Sequence, residues 1–206
     1  MKIGVLGTGM VGRAIGSKLV ALGHDVMMGS RTADNVQATT WVKTAGARSA
    51  AGTFADAAAF GELVFNCTQG ASSLAALRGA GAANLDGKTV VDVANVLSPE
   101  RAGSESLGEQ LQNALPGAKV VKTLNTVNCE LMVDPGKLAD SHTLFISGND
   151  AGAKAKVREL LDAFGWTDIV DLGDIATARA TEGYLPLWSS LWRQLGTLAF
   201  NIKVVR

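Results

Sequence analysis

The feature that most constrains this chain lies in its first twelve residues. Lys2 to Leu6 form a short apolar run of the kind a buried parallel strand shows, and the run leads directly into Gly7-Thr8-Gly9-Met10-Val11-Gly12. Val11, Ile15, Leu19 and Leu22 then share one helical stripe until Gly23 stops the pattern. A G-x-G-x-x-G string is common by itself, but between a strand and a helix it is the turn that accepts a dinucleotide. Its first glycine permits the tight turn, the second lets the backbone approach a pyrophosphate, and the third lets helix pack on strand. Amides at the helix start, aided by the helix dipole, favour the negative charge. Gly7, Thr8, Gly9, Met10, Val11 and Gly12 are therefore expected to hold the diphosphate.

Strand-like and helix-like patterns alternate down the rest of the chain. Strands are expected over residues 25–28, 62–66, 89–93, 119–124, 143–147 and 168–172. Helices are expected over 34–44, capped by Asp34 or Thr32, and over 72–81, 107–115 and 151–164. A helical tail is expected from about residue 176 to 200, interrupted near Pro186. Strands separated by helices mean βαβ units with right-handed crossovers. The expected fold class is thus α/β: a Rossmann-type doubly wound, mostly parallel sheet with a small C-terminal helical lobe. The only soft boundary is the Gly/Pro zone at 133–136, which would divide a dinucleotide-binding domain, 1–135, from a lobe, 136–206.

Charge narrows the partners. Lys plus Arg is 19 and Asp plus Glu is 19 in 206 residues, which argues against a nucleic-acid or anionic-membrane surface. No apolar run reaches the roughly 18–20 residues of a membrane span. The opening residues do not read as an export signal, and Cys67 and Cys129 cannot form a disulfide framework. A cytoplasmic location is expected. With only His24 and His142 beside those cysteines, no metal site is expected either.

The end of the second strand selects the dinucleotide. A site for NAD places a carboxylate there for the ribose 2′-hydroxyl, but this chain has Met28-Gly29-Ser30-Arg31-Thr32. Arg31 can fork onto a 2′-phosphate, with Ser30 and Thr32 beside it. Asp34 lies past the strand end. NADP(H) is the expected cofactor.

Ligands of an open parallel sheet lie across the carboxyl ends of its strands. Three of those ends read Asn66-Cys67-Thr68-Gln69-Gly70, Val93-Ala94-Asn95-Val96 and Leu124-Asn125-Thr126-Val127-Asn128. Thr68 and Asn95 are expected to frame the nicotinamide half, and Asn125 and Thr126 to border an acceptor. His24 reads as structural, His142 as an exposed loop residue, and both cysteines as small packed residues. Only Tyr184 and Lys122 remain as possible proton donors. Dehydrogenases of alcohols and keto acids move a proton with the hydride, whereas transfer to a flavin-type ring needs mainly placement and exclusion of water. Trp188 and Trp192 share a helical face with Leu191 and Leu195; that face can fill the core, wall an acceptor, or form a dimer seam.

Gly7–Gly12, followed by Gly23-His24-Asp25-Val26 and Gly29-Ser30-Arg31-Thr32, resembles the family of NADPH:coenzyme F420 oxidoreductases. Lys122-Thr123-Leu124-Asn125-Thr126-Val127 and Tyr184-Leu185-Pro186-Leu187-Trp188 resemble its bacterial branch. The resemblance covers essentially the whole chain. It implies an NADP-binding Rossmann domain, a small C-terminal lobe, a homodimer, and hydride exchange with a deazaflavin (coenzyme F420). Membrane ferric reductases with a related cytoplasmic domain use a flavin instead. The archaeal pattern carries a histidine where this chain has Asn125, a departure on the acceptor side. Two rival readings stand: an NADPH-dependent reductase of a small imine, carbonyl or quinone, and a non-catalytic NADP sensor.

Overall fold

The apolar runs become eight strands of one sheet in the computed structural model, which describes residues 1–96 and 105–206. They are β1 (Lys2–Leu6), β2 (Asp25–Ser30), β3 (Ser49–Thr53), β4 (Leu63–Asn66), β5 (Thr89–Asp92), β6 (Lys119–Thr123), β7 (Thr143–Gly148) and β8 (Asp168–Gly173). Their order across the sheet is β3-β2-β1-β4-β5-β6-β7-β8. The first six are parallel, while β7 runs antiparallel to β6 and parallel to β8. That 3-2-1-4-5-6 order reverses direction between β1 and β4, which opens a crevice at their carboxyl ends. The boundary expected at residue 135 falls between β6 and β7, two strands that hydrogen-bond to each other.

Helices cover both faces, which is why the central strands are buried on both sides. On one face α1 (Met10–Ala21), α2 (Val36–Ala45), α7 (Cys129–Val133) and α8 (Ala151–Phe164) pack Ile15, Leu19, Trp41, Leu131 and Phe164 against Val5, Phe65, Val91 and Val121. On the other, α3 (Phe54–Phe60), α4 (Gly70–Ala80), α5 (Ala82–Leu85), α6 (Leu107–Ala114) and α9 (Ala178–Gly183) cover Leu6, Val64, Val90 and Val120.

Several expectations need correction. The residues between α2 and β4 were not expected to form elements, yet they form β3 and α3. Strand β3 (SAAGT) has no large β-branched or aromatic residue, and α3 (FADAAAF) has no polar face to give a period. A capping box at α3 was available to find it: Thr53 accepts from the Asp56 amide, and Asp56 accepts from the Thr53 amide. Helix α2 is capped by neither Thr32 nor Asp34. Asn35 does so, its Oδ1 accepting from the amides of Gln37 and Ala38 at 3.0 and 3.1 Å.

The helical tail is interrupted near Pro186, as expected, but its last helix ends at Leu195 rather than near residue 200. A single 3₁₀ turn (Ile175–Thr177) leads into α9 and then α10 (Leu185–Leu195), and Pro186 sits in the first turn of α10, where its missing N–H costs nothing. Gly196, in the left-handed region at φ 67°, ends the helix. The chain then runs beside β7, with the Thr143 amide donating to the Ile202 carbonyl at 3.0 Å. Among the described residues no helix is long and apolar enough to cross a membrane.

Candidate functional site

The glycine loop joins β1 to α1 at the crevice, and each of its glycines has a distinct geometric reason. Gly7 has φ 114°, and a β-carbon there would meet the Cys67 carbonyl oxygen at 2.7 Å. Gly12 is where α1 crosses the turn, since its β-carbon would lie 2.0 Å from the Gly7 carbonyl oxygen. Gly9 differs from both. It caps α1 in an extended conformation with no side-chain cap, and a β-carbon on it would meet nothing within 4 Å. Space over that residue is what a pyrophosphate approaching the first amides of α1 requires. Gly9→Val should therefore fold normally while NADPH affinity falls by about 1–3 kcal/mol from steric conflict. Gly12→Ala should instead lower the melting temperature, and thermal melts with nucleotide titration separate the two effects.

Thr8 ties this loop to the next, because its Oγ1 donates to Gln37 Oε1 at 3.1 Å in the first turn of α2. Arg13 braces the same residue, donating to the Thr8 carbonyl at 3.3 Å. At the end of β2, Ser30 Oγ donates to the Thr32 carbonyl at 2.5 Å and accepts from the Thr32 amide at 3.3 Å. Ser30 therefore shapes the turn on which Arg31 stands, its own hydrogen held inside that turn. Arg31 and Thr32 are exposed, and Asp34 is exposed further along. With no carboxylate partner among the described residues, Arg31 fits a 2′-phosphate and disfavours the acid-dependent recognition of NAD.

At the ends of β5 and β6 the structure brings Asn95 and Asn125 together. Asn95 Nδ2 donates to the Asn125 carbonyl at 2.6 Å, and Asn125 Nδ2 donates to Asn95 Oδ1 at 3.0 Å. The residue before Asn125 carries the turn: Leu124 has φ 63°, the one non-glycine among the described residues in the left-handed region. A buried, branched side chain in that region holds strain of about 1–3 kcal/mol, and such strain concentrates at functional sites. Thr126 follows, with its Oγ1 buried and unpartnered. At the end of β4 the Thr68 amide would lie 3.2 Å from a β-carbon on Gly7, which sets Thr68 against the glycine loop. Cys67, beside it, is packed inside, and burial pushes its thiol well above the ordinary range.

Beneath these ends lies a polar row that sequence reasoning missed. Asn66, Asp92, Lys122 and Ser147 are register partners on successive strands, all at most 1% exposed. Lys122 Nζ pairs with Asp92 at 2.8 Å and with Glu182 of α9 at 3.0 Å. Glu182 also accepts from the Leu107 and Gly108 amides at the start of α6, at 2.8 and 3.0 Å. Lys122 is thus fastened inside the sheet and does not present a proton to the crevice. The signal was available: the buried runs LVFN, TVVD and KVVKT each carry a polar residue at or one place before the strand end.

Tyr184 and Trp188 stand one turn apart at the start of α10, and the phenol oxygen and indole nitrogen are both buried without a partner. Burial raises the Tyr184 pKa, so the phenol keeps its proton. Trp188 stacks loosely on Trp192 and Phe200, with ring centroids 5.9 and 5.6 Å away. His142 corrects the expectation of exposure: it is 7% exposed, packed edge-on to Trp166 and held between the Pro135 carbonyl and Asn201. His24 lies at the amino end of β2, away from the crevice, and burial lowers its pKa. Among the described residues no cluster of three His, Cys, Asp or Glu side chains could hold a metal ion.

The chain is similar to several known proteins. Residues 2–96 match the family model described as NADP oxidoreductase, coenzyme F420-dependent. A crystal structure from Arthrobacter sp. FB24, provisionally assigned as an F420-dependent NADP-reductase, is 49% identical with a TM-score of 0.92, covering 100% of both chains. A curated relative, metalloreductase STEAP3 of Rattus norvegicus, is 32% identical over 197 residues; these are 91% of this chain but only 38% of that protein's length. The reductive aminase of Aspergillus terreus, solved with NADPH, is 23% identical with a TM-score of 0.70, covering 95% of this chain and 62% of that one; it shows a shared fold. Identity near one half along the full length of the Arthrobacter protein, with the phosphate loop inside the matched region, places this NADP-dependent oxidoreductase in the family of coenzyme F420-dependent NADP oxidoreductases.

Proposed function

We propose that the protein passes a hydride between NADPH and a deazaflavin (coenzyme F420) or flavin-type ring. The observation that carries this reading is the chemistry of the strand ends. Between Cys67 and Gly70, Val93 and Val96, and Leu124 and Asn128 the only titratable side chain is the buried Cys67. Lys122 and Asp92 are held out of the crevice by their mutual pair. Walls of amide and hydroxyl groups suit ring-to-ring transfer, which needs alignment and dryness more than a proton relay.

Gly7 through Gly12 would hold the pyrophosphate by backbone amides, and Arg31 with the Ser30–Thr32 turn would hold the 2′-phosphate. Thr68 and Asn95 would frame the nicotinamide half, which supplies the hydride when bound. Asn125, Thr126 and Trp188 would line the acceptor side. The buried, unpartnered Thr126 Oγ1 and Trp188 Nε1 support that placement, since such groups in native proteins regularly have a partner. A plate assay of NADPH oxidation with a deazaflavin, FMN, FAD and a panel of imines, carbonyls and quinones tests the reading. Turnover should be fastest with a deazaflavin or flavin; an imine or carbonyl preference, or nucleotide binding with no turnover, would overturn it.

A cytoplasmic homodimer completes the proposal, with two free cysteines fitting a reducing compartment. Helix α10 has no buried residue, and Leu187, Trp192 and Leu195 are 55%, 46% and 54% exposed. A second copy covering that face would help to close the crevice. Light scattering at micromolar concentration should give the dimer mass, and Leu187→Asp should shift it to the monomer. A native protein that scatters only as monomer would remove this part.

A further inference from the structure

We infer that the buried row Lys122–Asp92–Asn66 sets the hydrogen-bonding polarity of Thr68, making its hydroxyl an obligate acceptor toward the nicotinamide half of the nucleotide. Asp92 can only accept. Its Oδ2 takes the Lys122 ammonium at 2.8 Å, and its Oδ1 takes the Asn66 amide nitrogen at 2.8 Å and the Ala94 amide at 3.2 Å. Asn66 must therefore turn its Nδ2 toward Asp92, where it also reaches Ser73 Oγ at 3.0 Å, and its Oδ1 the other way. That oxygen receives the Thr68 hydroxyl at 2.6 Å. The single Thr68 hydrogen is thereby committed. Ser73 Oγ, 3.0 Å away, can donate to Thr68 or to the Gln69 carbonyl, and neither choice frees that hydrogen. A charge fixed three residues away along the row thus decides what Thr68 offers at the crevice: a lone pair, for an amide N–H or a ribose O–H. Lys122, Asp92 and Asn66 are positioning residues acting through Thr68, and the inference rests on the placement of Thr68 proposed above.

Asp92→Asn tests the relay because it reverses the polarity at nearly constant shape. With the new side-chain oxygen kept on Lys122, its nitrogen faces Asn66, whose amide must flip and donate to Thr68. Ser73→Ala, added to Asp92→Asn, removes the other acceptor within reach of Thr68 at 3.0 Å, and the Thr68 hydrogen then points into the crevice. Calorimetry should show NADPH bound about tenfold more weakly by the Asp92→Asn, Ser73→Ala double variant and by Thr68→Val, with Thr68→Ser and Ser73→Ala alone near the native value. The fragment 2′,5′-ADP, which lacks the nicotinamide half, should bind all of them alike. Introduced into Thr68→Val, the Asp92→Asn, Ser73→Ala pair should add nothing further. A 3-acetylpyridine analogue of NADP, without the amide N–H, identifies the donor: the penalty of Thr68→Val vanishes if the amide supplies it and persists if the ribose does. Native-like NADPH binding by Thr68→Val or by the double variant overturns the inference, as do additive effects or an equal loss of 2′,5′-ADP. Only binding is read, so a protein that reduced no deazaflavin would sink the proposed reaction and leave this test standing.

Discussion

Arg31→Ala should weaken NADPH by about 1.5–3 kcal/mol, the range for hydrogen bonds to charged groups, and leave NADH nearly unchanged. That loss is roughly ten- to hundredfold in affinity. The asymmetry follows from where the charge stands. Arg31 follows the last residue of β2, exposed, on a turn that Ser30 and Thr32 close among themselves. Its guanidinium can meet the 2′-phosphate, which NADH does not carry, and no contact with the shared adenosine is needed for the difference. Arg31→Lys should recover only part of the loss, because a compact ammonium cannot form the two parallel bonds of the fork. Calorimetric titration of both nucleotides checks this. An equal loss for NADPH and NADH would show Arg31 to be a general electrostatic contributor and end its role in selection.

Lys122→Met should destabilise the fold by about 3–5 kcal/mol, the cost of leaving buried charge without its partner. Asp92 is 0% exposed and would keep a carboxylate in the sheet interior, with Glu182 losing the same ammonium. Methionine matches the length of the lysine stem, so the loss reports charge more than a cavity. A surface pair provides the contrast. Arg48 and Asp25 meet at 3.0 Å with side chains 57% and 46% exposed, and Arg48→Ala should cost less than about 1 kcal/mol. Urea unfolding of the two variants measures both, and a Lys122→Met loss as small as the surface one would mean that water already reaches the buried pair.

What could be read in advance follows the strength of the local signal. Helix α8 begins and ends where its apolar spacing says, with Asp150 capping one end and Gly165 in the left-handed region at the other. The glycine loop was legible because each glycine answers to a steric demand that any residue with a β-carbon would violate or a ligand would feel. Strand β3 was not, because its pairing with β2 gives it an identity that its own small side chains do not. The same limit explains the polar row. Asp92 and Lys122 lie 30 residues apart and meet only through strand register, so a lysine in a strand reads as a possible proton donor until its partner is seen. His142 reads as a loop residue until Trp166 and Asn201, both distant in sequence, close over it. At the crevice, residue types at strand ends were visible, but the mutual clasp of Asn95 and Asn125 depends on the left-handed turn at Leu124.

Helix α10 is anchored before and after its length. Glu182, just ahead of it, is bound to Lys122 and the start of α6, and beyond it Asn201 is bound to His142 and Thr143. Between those abutments it behaves as a beam supported at both ends rather than a flap on one hinge. Its bare ridge is consequently delivered at a fixed height and angle, and whatever settles on it meets a surface whose shape is set before contact.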